Sequence, residues 1–353
     1  MSTNPRVVQW ATGTIGRKAL RGVIEHPQLA LVGVHVHSPD KVGLDAGTLC
    51  GMDAVGVAAT GGIDDILALE PDCVVYMPLL FDADEVCILL ESGVNVVSTC
   101  GHFHHPASTE PALRGRVEAA CRAGGTSIHS TGSSPGFISE AVPLVLTSIQ
   151  RELHRITIDE FADLSERDSS TLLFDLMGFG REPAPFEQFR ADYLCSSFGP
   201  SLRLVAEAIG LPLDEVTARG ELATTRREVR IAAGTVGAGT VAAQRIVVDG
   251  RHEGHSLLTF TATWYCTTEL TPAWNVRDTG WHLAVDGDAP LEATLRIPVP
   301  LDRMAGTSPG YTANRAVNLV PAVCAASPGI LSTIDLPGGL GSPLLHSRLS
   351  ARS

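Results

Sequence analysis

Residues 6–16 read Arg6-Val7-Val8-Gln9-Trp10-Ala11-Thr12-Gly13-Thr14-Ile15-Gly16, and this stretch decides the fold. Its first part, RVVQW, is a short apolar strand. Its second part is a G-x-G-x-x-G pattern with Ala11 in the first glycine's place, and a helical stretch follows to about His26. In such a loop Gly13 lets backbone approach a pyrophosphate and Gly16 lets the helix pack close to the strand. The helix N-terminus aims its free N–H groups at the phosphates. A glycine-containing turn occurs in many α/β proteins. The context singles this one out: strand before, helix after, first unit of a βαβ series. Thr12, Gly13, Thr14, Ile15 and Gly16 are therefore candidate dinucleotide contacts.

Outward from this loop the first 130 residues alternate strand and helix. Leu29–Val36, Cys73–Met77, Val94–Thr99 and Thr126–Ser130 read as strands. Ile63–Leu69, Ala83–Ser92 and Glu110–Ala123 read as helices. Continuous apolar strands alternating with helices predict a parallel sheet covered on both faces, a Rossmann-type domain. The pattern changes after Phe137. A helix over 138–150 leads into longer alternating strands at Leu153–Asp163, Glu221–Ala233, Val241–Val248, Ser256–Cys266, Trp281–Val285 and Leu291–Ile297, with a helical insert in 185–209. Asp249-Gly250 and Asp286-Gly287 between alternating runs predict hairpin turns. The expected fold class is α/β: an N-terminal Rossmann-type parallel sheet plus an α+β C-terminal domain with a mostly antiparallel sheet. The expected division is 1–135 for the dinucleotide domain and 136–310 for a substrate and dimerisation domain. A helix at about 311–330 should pack back on the first domain, and 336–353, rich in Gly, Ser and Pro, should be a flexible tail.

Composition limits the function. The chain has 353 residues, and at roughly 150 residues per domain that is a two-domain length. The formal charge of −13 argues against non-specific nucleic-acid binding, which needs a basic surface. No apolar run reaches about 18 residues, so no membrane span is expected. The eight cysteines stand singly, with no C-x-x-C pair, and several lie in apolar runs. Together with the lack of a signal-peptide pattern, they point to a reducing cytoplasm. Of 26 basic residues only Lys18 and Lys41 are lysines.

Two further regions carry candidate chemistry. The second strand ends in His35-Val36-His37-Ser38-Pro39-Asp40-Lys41, where NAD enzymes usually place an acid for the ribose hydroxyls. His37, Ser38 and Lys41 instead suit a 2′-phosphate, which favours NADP(H); Asp40 keeps NAD(H) open. After Val94–Thr99 comes Cys100-Gly101-His102-Phe103-His104-His105-Pro106, a loop at a strand's carboxyl end, where open α/β sheets bind ligands. Imidazole there suits proton transfer near neutral pH. Cys100, His102 and His104 alternate and could instead face a metal, although no partner motif supplies further ligands. Histidines bonded to backbone or water are the third reading, foremost for His105. No metal is assigned. His102 is the candidate acid/base or substrate-orienting group and His104 a second polar group. Met77, Pro78, Thr99, Cys100 and, from the loop Thr131-Gly132-Ser133-Ser134-Pro135-Gly136-Phe137, Gly136 would rim the nicotinamide.

These residues carry a family resemblance. VVQWATGTIGR (7–17), HSPDKVG (37–43), NVVST (95–99), TGSSPGF (131–137) and NLVPAVCAASPGI (318–330) resemble, in order and spacing, the dihydrodipicolinate-reductase-like oxidoreductases. That family includes 2,4-diaminopentanoate dehydrogenase and the native amine dehydrogenases. The resemblance implies a Rossmann domain, an α/β second domain, a homodimer, a nicotinamide cofactor near Asn318 among other contacts, and carbonyl reductive amination or its reverse. The partners it implies are a small-molecule substrate and ammonia. Two departures stand out. True dihydrodipicolinate reductases carry a catalytic lysine in an H-H-x-x-K-type signature of the second domain, and no lysine here lies beyond residue 41. The amine dehydrogenases carry a glutamate where His102 stands, and no acid lies between Asn95 and Ser108.

The swap leaves three expectations open. The first is hydride transfer to a carbonyl or imine held between the two domains, as in amine dehydrogenases. The second is carbonyl or alcohol redox chemistry, with His102 donating to a carbonyl oxygen. The third is an NADP(H)-binding sensor without turnover. Asp163, Glu166 or Glu140 could replace the missing acid. Phe137, Phe174 and Trp274 could line a pocket or simply fill the core.

Overall fold

The computed structural model describes residues 4–336, so the stretch expected as a tail lies outside the described residues except for Leu336. The chain divides into two compact units. One takes in residues up to Phe137 and from Ser308 on, and the other is Ile138–Thr307.

In the first unit β1 (Arg6–Trp10), α1 (Thr14–Glu25), β2 (Ala30–His35), α2 (Ala46–Cys50), β3 (Ala59–Thr60) and α3 (Ile63–Leu67) come first. Then follow β4 (Cys73–Tyr76), α4 (Ala83–Glu91), β5 (Asn95–Ser98), α5 (Pro111–Gly124) and β6 (Ser127–Ser130). In the second unit come α6 (Val142–Thr147), β7 (Leu153–Asp163), α7 (Gln188–Ile209), β8 (Glu215–Thr225), β9 (Val229–Ile231), β10 (Gly234–Val236), β11 (Val241–His252), β12 (His255–Tyr265), β13 (Leu270–Thr271), β14 (Gly280–Gly287) and β15 (Leu291–Arg296). α8 (Leu301–Ala325) carries the chain back to the first unit, which ends its sheet with β16 (Gly329–Leu331).

The first sheet has the order β16-β6-β5-β4-β1-β2-β3, and every pair is parallel. Its central strands β1, β4 and β5 carry apolar pairs or runs because both faces are covered, whereas β6 reads Ser-Ile-His-Ser. Val7, Cys73, Val75 and Val97 pack with Ala19 and Val23 of α1 and with Ala313, Ala316, Val317 and Val320 of α8. The alternate residues Val8, Trp10, Val74, Tyr76 and Val96 pack with Leu89 and Leu90 of α4 and Val117 and Cys121 of α5. Each such fully buried valine contributes roughly 1.5–3 kcal/mol. The chain runs outward from β1 in one direction through β2 and in the other through β4. The strand order therefore reverses between β1 and β4, and loops diverge there at the carboxyl edge.

The second sheet has the order β13-β8-β11-β12-β7-β14-β15. It is mostly antiparallel, but β12 and β7 run parallel, Leu258 opposite Ile156 through Tyr265 opposite Asp163. α7 lies against it, with Phe198 stacked on Phe260 at 3.8 Å.

Several sequence expectations are corrected here. Asp249-Gly250 is not a turn. It lies within β11, where Asp249 is buried and accepts from Ser256 Oγ (2.8 Å) and Thr259 Oγ1 (3.1 Å) of β12. The turn falls at Glu253-Gly254, where φ is +48° and +80°, the backbone a two-residue hairpin turn requires. Asp286-Gly287 likewise stays in the sheet, paired with Arg155 and Leu153. A Cβ at Gly287 would lie 2.1 Å from the Glu152 carbonyl oxygen, so the glycine serves close approach, not reversal. The expected strand 221–233 is two: β8 ends at Thr225 and a small hairpin, β9 with β10, begins at Val229. The helix expected over 138–150 is irregular at its start and shorter at its end: a π-helical stretch after the non-helical Ser134, Pro135 and Gly136 runs to Ala141, and regular α-helix covers Val142–Thr147.

Candidate active site

The loop after β1 is built as a cradle. Ala11, in the first glycine's place, has φ +69°, the left-handed conformation that glycine adopts without strain. It is held there by Gln9, whose Nε2 donates to the Trp10 and Ala11 carbonyls at 3.1 and 2.9 Å. A Cβ at Gly16 would lie 2.2 Å from the Ala11 carbonyl oxygen, so α1 approaches the strand as closely as a glycine allows. Gly13 precedes α1, with no side chain capping the helix and no acid in its first turn. A Cβ there would meet nothing within 4 Å. The start of α1 thus carries no side-chain cap, and the space beside Gly13 is open, as a helix N-terminus that takes a pyrophosphate requires. Thr12 is buried, Thr14 exposed and Ile15 half-buried.

The end of β2 adds a positive group. A 3-10 turn, Pro39–Lys41, follows Ser38 and brings Lys41 over the cradle, where its Nζ donates to Thr12 Oγ1 at 3.2 Å. Lys41 and Ser38 are half-buried, while His37 and Asp40 are exposed. His35 lies beneath, stacked on Trp10 with ring centroids 3.6 Å apart, and His37 meets its edge at 5.0 Å. Burial, then the neighbouring His37, pushes the His35 pKa down to about 4, so this ring is neutral. The stack carries no recognisable sequence signal.

The third part lies at the carboxyl ends of β4, β5 and β6. Cys100 Sγ is 3.7 Å from the Pro78 carbonyl, which ties the first two loops. Ser130 Oγ donates to the Cys100 carbonyl (2.7 Å) and accepts from Phe103 N (3.2 Å), which ties the third. Met77 is buried, and Pro78, Thr99 and Cys100 are half-buried. His102 is exposed as a residue, but its ring lies on Phe81 at 4.3 Å with a 29° tilt. Water is lost from that side, and burial lowers its pKa below the ordinary histidine value. Sequence reasoning missed Phe81, which reaches His102 from the loop after β4.

The other histidines differ. His104 is buried at 2% exposure, and His105 is buried with Nδ1 2.6 Å from Ser108 Oγ. Cys100, His102 and His104 do not form a metal cluster: among the described residues no group of three or more His, Cys, Asp or Glu is placed to hold an ion. Gly136 has φ +114°, and a Cβ there would lie 3.3 Å from Thr131 Oγ1. The same loop is joined to α8 by Ser133 Oγ and Thr312 Oγ1 at 2.8 Å. Asn318 lies half-buried on α8, next to Val317, which packs 3.5 Å from a Cβ built on Gly22 of α1.

The candidate acids belong to the second unit. Glu140 is fully buried and accepts from Ser201 Oγ at 2.5 Å. Asp163 accepts from Ser165 N at 2.9 Å, and Glu166 is exposed. Phe174 and Trp274 pack around a core of that unit, where the Arg245 guanidinium lies 4.3 Å over the Trp274 ring.

Comparison with known proteins agrees with this architecture. Residues 137–341 match the family described as 2,4-diaminopentanoate dehydrogenase C-terminal domain. An amine dehydrogenase of Streptomyces virginiae is 30% identical over 347 residues, 94% of this chain and 95% of that protein. The 2,4-diaminopentanoate dehydrogenase of Acetoanaerobium sticklandii is 23% identical, over 72% of this chain and 69% of its own. Among solved structures, an amine dehydrogenase from Mycobacterium smegmatis superposes with a TM-score of 0.71 at 20% identity, covering 94% of this chain and 96% of its own. That last similarity is one of fold.

Proposed function

The chain belongs to the 2,4-diaminopentanoate dehydrogenase family and is an NAD(P)-dependent oxidoreductase, and on that premise we propose that it interconverts a small or medium, largely apolar amine and the corresponding carbonyl with ammonia, using NADP(H). The observation that carries this reading is the match over 94% of the chain to an amine dehydrogenase at 30% identity, and the surroundings of His102 are compatible with it. A cationic imidazole would repel an iminium or ammonium. A histidine whose pKa is lowered by burial is neutral and can accept an N–H from either.

In this reading the nicotinamide, when bound, supplies or takes the hydride. The chain's residues bind and orient. The backbone of Thr12, Gly13, Thr14 and Ile15 holds the pyrophosphate, and Gly16 keeps α1 close enough for its N-terminus to contribute. Ser38, His37 and Lys41 take the 2′-phosphate; the contact of Lys41 with Thr12 supports that choice over NAD(H). Met77, Pro78, Thr99, Cys100 and Gly136 flank the nicotinamide, with Asn318 contributing from α8. In the oxidative direction an imidazole nitrogen of His102 takes a proton from the substrate ammonium. In the aminating direction it holds ammonia by accepting an N–H. His104, being buried, acts on the position of this loop.

A second reading is carbonyl reduction without ammonia, favoured by the lack of any carboxylate between Asn95 and Ser108. One experiment separates the two: NADPH consumption over a panel of aldehydes and ketones at high pH, with and without ammonium. Ammonia-dependent turnover that rises in His102→Glu and falls in His102→Ala supports the amine reaction. Ammonia-independent turnover supports the reductase, and full activity of His102→Ala removes His102 from both. The eight free thiols fit a reducing cytoplasm, and the family resemblance supports a homodimer. Among the described residues no helix is long and apolar enough to cross a membrane.

A further inference from the structure

We propose that Phe81 is a positioning residue for His102, holding the imidazole flat against the loop that leaves β4 so that its exposed edge is presented in one orientation. This rests on the reading of His102 as the proton-handling group. A catalytic imidazole is usually oriented by a hydrogen bond to one ring nitrogen. Among the described residues no side chain makes such a bond to His102; its carbonyl accepts from Thr109 Oγ1 at 2.8 Å, which fixes the backbone but leaves the ring to be placed. The ring's near neighbours are aromatic: Phe81 stacked at 4.3 Å and Phe103 tilted at 6.2 Å.

Phe81 is itself held. It meets Phe103 edge-on at 5.6 Å and Tyr76 edge-on at 6.2 Å. Tyr76 is fully buried at the end of β4, donates from its hydroxyl to Glu85 Oε2 at 2.7 Å and accepts from Asp82 N at 3.2 Å. Burial raises its pKa, so the phenol stays protonated and keeps that bond. Tyr76, Phe81 and His102 are therefore a chain of ring contacts, edge-on and then stacked, running from the end of β4 to the candidate site. Edge-to-face and offset contacts of this kind favour one mutual orientation of the rings beyond the area they bury.

The contact with Phe81 also takes water from one face of the His102 ring, and burial lowers its pKa. The titratable groups around His102 are Cys100, His104 and His105 on its own loop. Asp82, Asp84 and Glu85 lie at the start of α4, and Arg114 on α5 donates to the Pro106 carbonyl at 3.5 Å. Burial, not any of these, is the cause of its lowered pKa.

The test is a histidine-resolved NMR titration of the full chain, with the His102 signal assigned through His102→Gln. It is run on the native protein, Phe81→Leu, Phe81→Met and Phe81→Tyr, beside pH profiles of kcat/KM. In Phe81→Leu and Phe81→Met the His102 midpoint should rise toward the ordinary histidine value. The acid limb of kcat/KM should move up with it, and kcat should fall about ten- to a hundredfold. KM for NADPH should hold within about twofold, because the ring contacts of Phe81 are with Tyr76, His102 and Phe103 and not with the phosphate loop. Phe81→Tyr keeps the ring face and should restore midpoint and limb. An unmoved midpoint, or a moved midpoint with an unmoved acid limb, overturns the proposal. Full activity in His102→Ala instead defeats the functional reading of His102, and the midpoint in Phe81→Leu still judges whether Phe81 governs the ring. Two apolar variants guard against a folding defect in one of them.

Discussion

Substituting Gly13 with alanine separates the fold from its ligand. Gly13 has φ −70° and ψ −167°, extended backbone open to any L residue. A Cβ built there meets no protein atom within 4 Å. Gly13→Ala should therefore fold as the parent does. Removing glycine's freedom from the unfolded chain should stabilise it by about 0.4–1 kcal/mol, a Tm rise of about 1–4 °C. The space that the methyl fills is the space that a pyrophosphate against α1 would use. A phosphate pushed outward by one methyl group weakens one or two charge-assisted bonds, each worth about 1.5–3 kcal/mol. NADPH affinity should fall about ten- to a hundredfold. Isothermal titration with NADPH and scanning calorimetry on the same preparations read both quantities. Parental NADPH affinity together with an unreduced Tm would refute the reasoning, because the pyrophosphate could not then lie on this loop.

Gly16→Ala should do the opposite to stability. Its Cβ would lie 2.2 Å from the Ala11 carbonyl, and overpacking of this kind costs about 1–3 kcal/mol, so calorimetry should show Tm and cofactor affinity falling together. Lys41→Ala should lower kcat/KM with NADPH by about tenfold more than with NADH, and added salt should narrow the native protein's preference in the same direction; an unchanged ratio would move the 2′-phosphate elsewhere. His35 is held neutral, its pKa near 4, whereas an unfolded histidine titrates at about 6.5. Between those values the unfolded chain binds more protons, so stability is complete above about pH 6.5 and is lost as pH falls toward 4. His35→Phe keeps a ring on Trp10 and should flatten that part of the profile; urea melts at both ends of the window that keep the native slope would count against it.

The legible parts of the fold were those written in local period. Arg6–Trp10 and Leu153–Asp163 occur with the bounds their apolar patterns give, because a run with both faces covered, or a half-buried alternation, needs no distant partner to be recognised. β3 and β16, of two and three residues, carry too little period to read and owe their existence to the strands beside them. Asp249-Gly250 misled because its turn chemistry is local while its partners, Ser256 and Thr259, are on the next strand. At the candidate site the glycine loop between β1 and α1 was legible as a motif, and His102 as a histidine on a strand-end loop. Phe81 was not, since a ring that follows a strand looks like any core residue until its neighbour across the sheet edge is known. The pKa of His102 was hidden for the same reason: burial is a property of what the ring lies on.

The contact of Lys41 with Thr12 also offers a way to interrogate the cradle before any substrate is identified. The chain has two lysines, one exposed on α1 and one half-buried on the loop. An amine-directed acylating reagent read by peptide mass thus has two side-chain addresses, with Lys18 serving as the internal clock for Lys41. Occupancy of the loop becomes a ratio of two modification rates, measurable for each nucleotide in turn and independent of turnover.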